Sequence, residues 1–129
     1  MSPPAVLDTS IFIALEQGRK LARSLPDQVG VSIVTLAELE LGVHMANDAE
    51  TRADRLATLT RVREHTHGLP ADEAVASGYA RLAAGELAEG RKPRVHDTWI
   101  AATALAHGAQ LWTQDAAFGS FDAVDVVRV

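Results

Sequence analysis

The chain has 129 residues, 47% hydrophobic and 22% charged, with 12 basic against 17 acidic side chains for a net charge of −5. That balance excludes a disordered segment and suits one globular domain with a buried core. It also excludes a protein that coats nucleic acid through an overall basic surface, and the lack of cysteine excludes disulfide frameworks and thiolate zinc sites. No run approaches the roughly 20 apolar residues of a spanning helix. Met1-Ser2-Pro3-Pro4 carries neither the positive nor the apolar region of a signal peptide, so the expected compartment is the cytoplasm, with no membrane association.

Ala5-Val6-Leu7 is a short, uninterrupted apolar run, as in a strand buried on both faces. Ser10 is placed to cap a helix over 11–16 that Gly18 ends, and a second short helix is expected over 20–25, stopped by Pro26. Val29-Gly30-Val31-Ser32-Ile33 reads as the second strand, with a helix from Thr35 to about 46 after it. A long amphipathic helix over about 49–64 keeps Ala53, Leu56, Leu59 and Val62 to one side.

His67-Gly68-Leu69-Pro70 is a weak third strand, and Asp72 caps a helix that runs to about 88. A basic loop, Gly90-Arg91-Lys92-Pro93-Arg94, leads to a helix from Asp97 that closes at His107-Gly108. Strands over 109–113 and 124–129 complete the chain. Short strands alternating with helices imply an α/β fold: one domain, 1–129, with a parallel sheet of about five strands and helices on both faces.

Four carboxylates follow or open these elements at one end of the expected sheet: Asp8, Glu38, Asp97 and Asp115. Ligands of parallel sheets bind beyond the carboxyl ends of strands. Distant acids gathered there make an oxygen-rich site for hard divalent cations. Each also has a local alternative. Asp8 can start a turn or cap a helix, and Asp115 can do the same before Phe118. Thr35-Leu36-Ala37-Glu38 matches the capping box, in which the glutamate reaches back to the N-cap amide. Against that, Gly42 lies one turn on and allows close approach of another element, while Glu40 projects about 200° away and is solvated. Asp97 shares a helical stripe with Ile100, Ala101, Ala104 and Leu105, where a carboxylate is costly unless paired or metal-bound.

Together the fragments Leu7-Asp8-Thr9-Ser10, Thr35-Leu36-Ala37-Glu38-Leu39-Glu40-Leu41-Gly42, Asp97-Thr98-Trp99-Ile100-Ala101-Ala102 and Thr113-Gln114-Asp115-Ala116-Ala117-Phe118 resemble the motifs of PIN-domain nucleases, most closely the VapC-type toxins of bacterial toxin–antitoxin pairs. The resemblance implies a three-layer PIN-like domain and a Mg²⁺- or Mn²⁺-dependent endoribonuclease. It places the metal-binding and catalytic acids at Asp8, Glu38, Asp97 and Asp115, with Thr9, Ser10 and Thr113 as supporting hydroxyls. It also implies an RNA substrate, a small antitoxin partner that uses apolar surface such as Ile11, Phe12 and Leu15, and a homodimer.

Two bound Mg²⁺ ions would bring the net charge of −5 to about −1 and put positive charge where a phosphate must sit. Arg91, Lys92 and Arg94, just ahead of Asp97, are the expected substrate rim, and His96 is read as a loop histidine without a catalytic role. Trp99 and Trp112 are read as core. Asp8-Thr9-Ser10 lacks the second acid of an aspartyl phosphatase, and no glycine-rich loop suits a nucleotide switch. The remaining alternative is a catalytically silent PIN-like module that binds RNA or a protein partner.

Overall fold

In the computed structural model, which describes residues 3–129, strands and helices alternate along the chain. They run β1 (Ala5–Leu7), α1 (Thr9–Glu16), β2 (Val29–Ser32), α2 (Ile33–His44), α3 (Ala49–His65), β3 (His67–Leu69), α4 (Glu73–Ala88), α5 (Val95–Ala106), β4 (Gln110–Thr113), a 3-10 helix (Ala116–Ser120) and β5 (Val126–Arg128). All five strands are parallel, in the order β3-β2-β1-β4-β5. The chain winds outward from β1 to β3, then crosses back to lay β4 on the other side of β1. The reversal opens a crevice beyond the carboxyl ends of β1 and β4.

The pleat sorts β1 between two cores. Val6 packs with Val75, Leu82, Ile100, Ala104 and Leu111 under α4 and α5. Ala5 and Leu7 pack with Ile11, Phe12, Val31, Val62 and Trp112 under α1 and α3. The result is the three-layer arrangement expected of alternating strands and helices. Gly78 lets α4 and α5 approach closely: a Cβ there would meet the Ala102 carbonyl oxygen at 3.3 Å. Gly108, at φ 60°, turns the chain from α5 toward β4.

Several boundaries differ from expectation. No helix forms over 20–25, which is irregular and precedes Pro26. Asp8, not Ser10, caps α1, its carboxylate accepting from the Ser10 amide. Ser32 caps α2 through the Val34 amide, so the helix starts two residues before Thr35. α5 starts at Val95, which puts His96 in its first turn and not in a loop. On α3, Leu59 and Val62 are buried, but Ala53 and Leu56 face outward. Strands β4 and β5 are shorter than the apolar runs that contain them.

Candidate metal centre

Asp8 ends β1 and is 4% exposed. Its Oδ2 accepts from the Ser10 hydroxyl at 2.6 Å, the Thr113 hydroxyl at 2.8 Å and the Ser10 amide at 3.3 Å. All of the carboxylate's hydrogen bonds fall on that one oxygen. The other oxygen is left open to the crevice, since no side-chain polar atom among the described residues is both buried and unsatisfied. Asp115, capping the 3-10 helix, likewise engages one oxygen, Oδ1, with the Ala117 amide at 2.9 Å. Asp97, in the first turn of α5, engages Oδ2 with Arg94 Nη1 at 3.3 Å. Each aspartate is therefore oriented by one oxygen and presents the other.

Glu38 is no helix cap, because the capping box of Thr35 and Glu38 does not form once Ser32 takes the N-cap position. The Thr9 hydroxyl instead donates to Glu38 Oε1 at 2.8 Å and lies 3.1 Å from the hydroxyl of the fully buried Thr35. His96 Nδ1 stands 3.6 Å from Glu38 Oε2, across from α2. A Cβ on Gly42 would make only an ordinary contact, 3.8 Å from the Arg55 side chain, so close packing does not explain that glycine. Glu40 faces away and pairs with Arg63 on the surface.

Electrostatics ties the four acids together. Burial pushes the Asp97 carboxyl above its ordinary value; Arg94 opposes this, while the charges of Asp8, Asp115 and Glu38 add to it. Like charges raise a carboxyl when they face it across a short, poorly screened gap. So the crevice collects negative charge that a cation would relieve.

Among the described residues no group of three His, Asp or Glu side chains is arranged to hold a metal ion unaided. The donor chemistry nevertheless fits a hard cation: carboxylate oxygens at a solvent-facing edge, with hydroxyls behind them. Mg²⁺ retains several waters and takes only one or two carboxylates directly.

Two of the supporting hydroxyls, Ser10 and Thr113, form one network around Asp8, while Thr9 belongs with Thr35 and Glu38. Thr113, fully buried in β4, donates to Asp8 and accepts from the Asp115 amide at 2.9 Å; Ser10 accepts from the Gln114 amide at 3.0 Å. Thr35 and Gln114 were not foreseen as participants. Thr35 carried a signal, but the capping motif accounted for it; the backbone role of Gln114 has none in sequence.

The expected basic rim divides. Arg91 is bound by Glu86, while Arg94 reaches Asp97, the Ala117 carbonyl and Ser120, leaving Lys92 exposed beside them. Glu86 is only 4% exposed. Hydrogen bonds from Ser120, then Arg91, hold its carboxyl below the ordinary value, against the effect of burial. Its stabilising contribution is fully present above the unfolded value of 4.5 and is lost as pH falls through the lower folded value. Glu86→Gln is therefore expected to lower the melting temperature at pH 7, with the gap from wild type closing in strong acid. Thermal unfolding followed by circular dichroism checks this; a gap that is constant with pH would refute it.

Residues 5–124 match the PIN domain family. The chain is 44% identical over 128 residues to Ribonuclease VapC5 of Mycobacterium tuberculosis (strain ATCC 25618 / H37Rv), covering 96% of this chain and 94% of that protein. Ribonuclease VapC4 of the same organism is 38% identical over 130 residues, covering 97% and 96%. The crystal structure of VapBC-5, a member of the VapBC family of toxin–antitoxin systems from Mycobacterium tuberculosis, superposes with a TM-score of 0.87 at 42% identity, over 98% of this chain and 100% of that one. Family pattern, identity and fold coincide over nearly the whole chain, which belongs to the PIN-domain family, in its VapC-type branch.

Proposed function

We propose that this chain is a divalent-metal-dependent endoribonuclease and the toxin of a toxin–antitoxin pair, acting as one nuclease domain over 1–129. Asp8, Glu38, Asp97 and Asp115 hold Mg²⁺ or Mn²⁺ and form the catalytic set. The observation that carries this reading is that the charges of Asp8, Asp115 and Glu38 all act on the half-buried Asp97 carboxyl at the crevice of the sheet.

When bound there, the cation supplies a nucleophilic water near neutral pH and charge relief for the departing 3′-oxygen, leaving a 5′-phosphate and a 3′-hydroxyl. The chain's own residues set the geometry. Ser10 and Thr113 fix Asp8, Thr9 fixes Glu38, and the Ala117 amide fixes Asp115, so each carboxylate is oriented through one oxygen. Arg94 neutralises part of the charge on Asp97 and is placed to meet a phosphate at the rim. No histidine pair is required for proton transfer.

The partner reading rests on apolar surface beside the site. Ile11 and Phe12 are buried, so they belong to the core and not to an interface, whereas Ile13, Leu15, Leu41 and Met45 are exposed. Ile13, Leu41 and Met45 line a cleft of about 460 Å³ that also contains Thr9 and Glu38. A small antitoxin segment seated there blocks the acids directly. Exposed Ile33 and Val95 offer further apolar area for a homodimer. No described helix is long and apolar enough to cross a membrane, and the proposed place of action is the cytoplasm.

The purified chain is expected to cut structured RNA in Mg²⁺ or Mn²⁺, to stop in EDTA, and to leave ends that ligate as 5′-phosphates. RNA binding without cleavage under all of these conditions would leave a silent module and end the nuclease reading. Co-expression with the adjacent reading frame is expected to restore growth and to co-purify a small protein.

A further inference from the structure

The rim foreseen at Arg91, Lys92 and Arg94 is half spent on Glu86, but three other arginines gather on the opposite flank of the acids. Arg19, just past α1, directs Nη1 to Gln114 Oε1 at 3.4 Å. Arg128, in β5, directs Nε to the Gln114 main-chain oxygen at 3.4 Å. The Arg23 guanidinium stands 4.9 Å over the Trp112 ring. All three are exposed, and among the described residues none forms an ion pair, in a chain where acids outnumber bases 17 to 12. Gln114 sits between Thr113 and Asp115 and donates its amide to Ser10, so this flank borders the acid cluster itself.

The guanidinium groups of positions 19, 23 and 128 are held by neutral partners, Gln114 and Trp112, which leave their like charges uncompensated and repelling. A polyanion beside them reverses that sign, and the guanidinium fork matches phosphate oxygens. Trp112 is 4% exposed beneath Arg23 and offers no face on which a base could stack. The flank therefore reads charge and not base identity.

We propose that Arg19, Arg23 and Arg128 form a phosphate track that carries the RNA strand away from the acid cluster across Gln114. The proposal rests on the ribonuclease reading and adds which side of the crevice holds the flanking phosphates, and that this side is indifferent to sequence.

The test uses the full chain carrying Asp97→Asn, in Mg²⁺, with a labelled single-stranded RNA of about 20 nucleotides, and follows affinity by anisotropy across a range of salt. Adding Arg19→Ala and Arg128→Ala together is expected to weaken binding roughly fivefold or more at low salt, and to reduce the slope of log K against log salt by about 1.4, near 0.7 for each lost phosphate. Arg81→Ala, an exposed arginine on α4 across the sheet, removes equal charge and is expected to change neither.

A paired variant with the slope of Arg81→Ala overturns the track. So does unchanged RNA affinity together with arginine-dependent binding of a poly-glutamate peptide, which would assign the flank to an acidic protein segment. If the unsubstituted chain neither binds nor cuts RNA, the ribonuclease reading itself falls and takes the track with it. If it does both while the slope stays fixed, the track alone falls.

Discussion

Asp97→Asn is expected to reduce RNA cleavage by roughly 10²-fold or more while making the metal-free protein more stable. The two effects share one cause. Burial and the charges of Asp8, Asp115 and Glu38 raise the Asp97 carboxyl above its ordinary 3.8 in the folded chain. The unfolded chain gives up that proton more readily, so stability falls as pH rises from about 3.8 through the higher folded value, and stays reduced beyond it.

Asparagine keeps the shape and removes the charge, so in EDTA the variant is expected to melt above wild type at neutral pH and to converge with it in acid. Arg94 loses a partner in the variant but keeps Ser120 and the Ala117 carbonyl. Mg²⁺ is expected to raise the wild-type melting temperature more than the variant's, because only the native state of the wild type presents the full acid set. Cleavage assays and thermal unfolding in EDTA and Mg²⁺ over a range of pH decide it. Unimpaired cleavage by the variant, or a variant that melts lower at every pH, would contradict the account.

Thr113→Val is expected to carry the second large effect. The hydroxyl donates to Asp8, accepts the Asp115 amide and lies 3.3 Å from the Ser10 hydroxyl, all within a fully buried side chain. Valine matches its volume but strands these groups. Loss of buried hydrogen bonds of this kind costs about 1–3 kcal/mol, and chemical denaturation measures it. Because Thr113 orients Asp8 without touching substrate, kcat is expected to fall roughly 10-fold to 100-fold with KM nearly unchanged. Thr113→Ser, which keeps the oxygen, is expected to recover most of the rate. A stability loss with kcat intact would make the hydroxyl purely structural.

The acids were legible because their signal is local: an acid directly after a short apolar run, or in the first turns of a helix at a strand's end. Asp8, Asp97 and Asp115 lie where that pattern puts them, and the winding of β1 through β5 follows from the alternation of short strands with helices. Glu38 was legible as a candidate, yet its competing role as a cap ended only when the helix began at Ile33 and Ser32 took the capping position. A two-residue shift of a helix start is invisible to periodicity, since the apolar pattern persists through both registers.

The pairing within the expected basic rim was hidden for a related reason. Arg91 stands close to Asp97 in sequence, but the turn after α4 brings it back onto buried Glu86. Arg19 and Arg128 are separated from Asp115 along the chain or by a strand, and meet at Gln114 only because α1 and β5 flank β4.

Residue type and short-range spacing thus determined the candidate acids, the order of the strands and main helices, and the family this chain belongs to. Tertiary structure alone decided which oxygen of each aspartate is tied and which is free, which threonines support the acids, and which arginines remain unpaired. Those outcomes depend on contacts between residues up to about 100 positions apart, such as Ser10 with Thr113 and Asp8 with Thr113. Such contacts exist only after the sheet has brought the ends of its strands together.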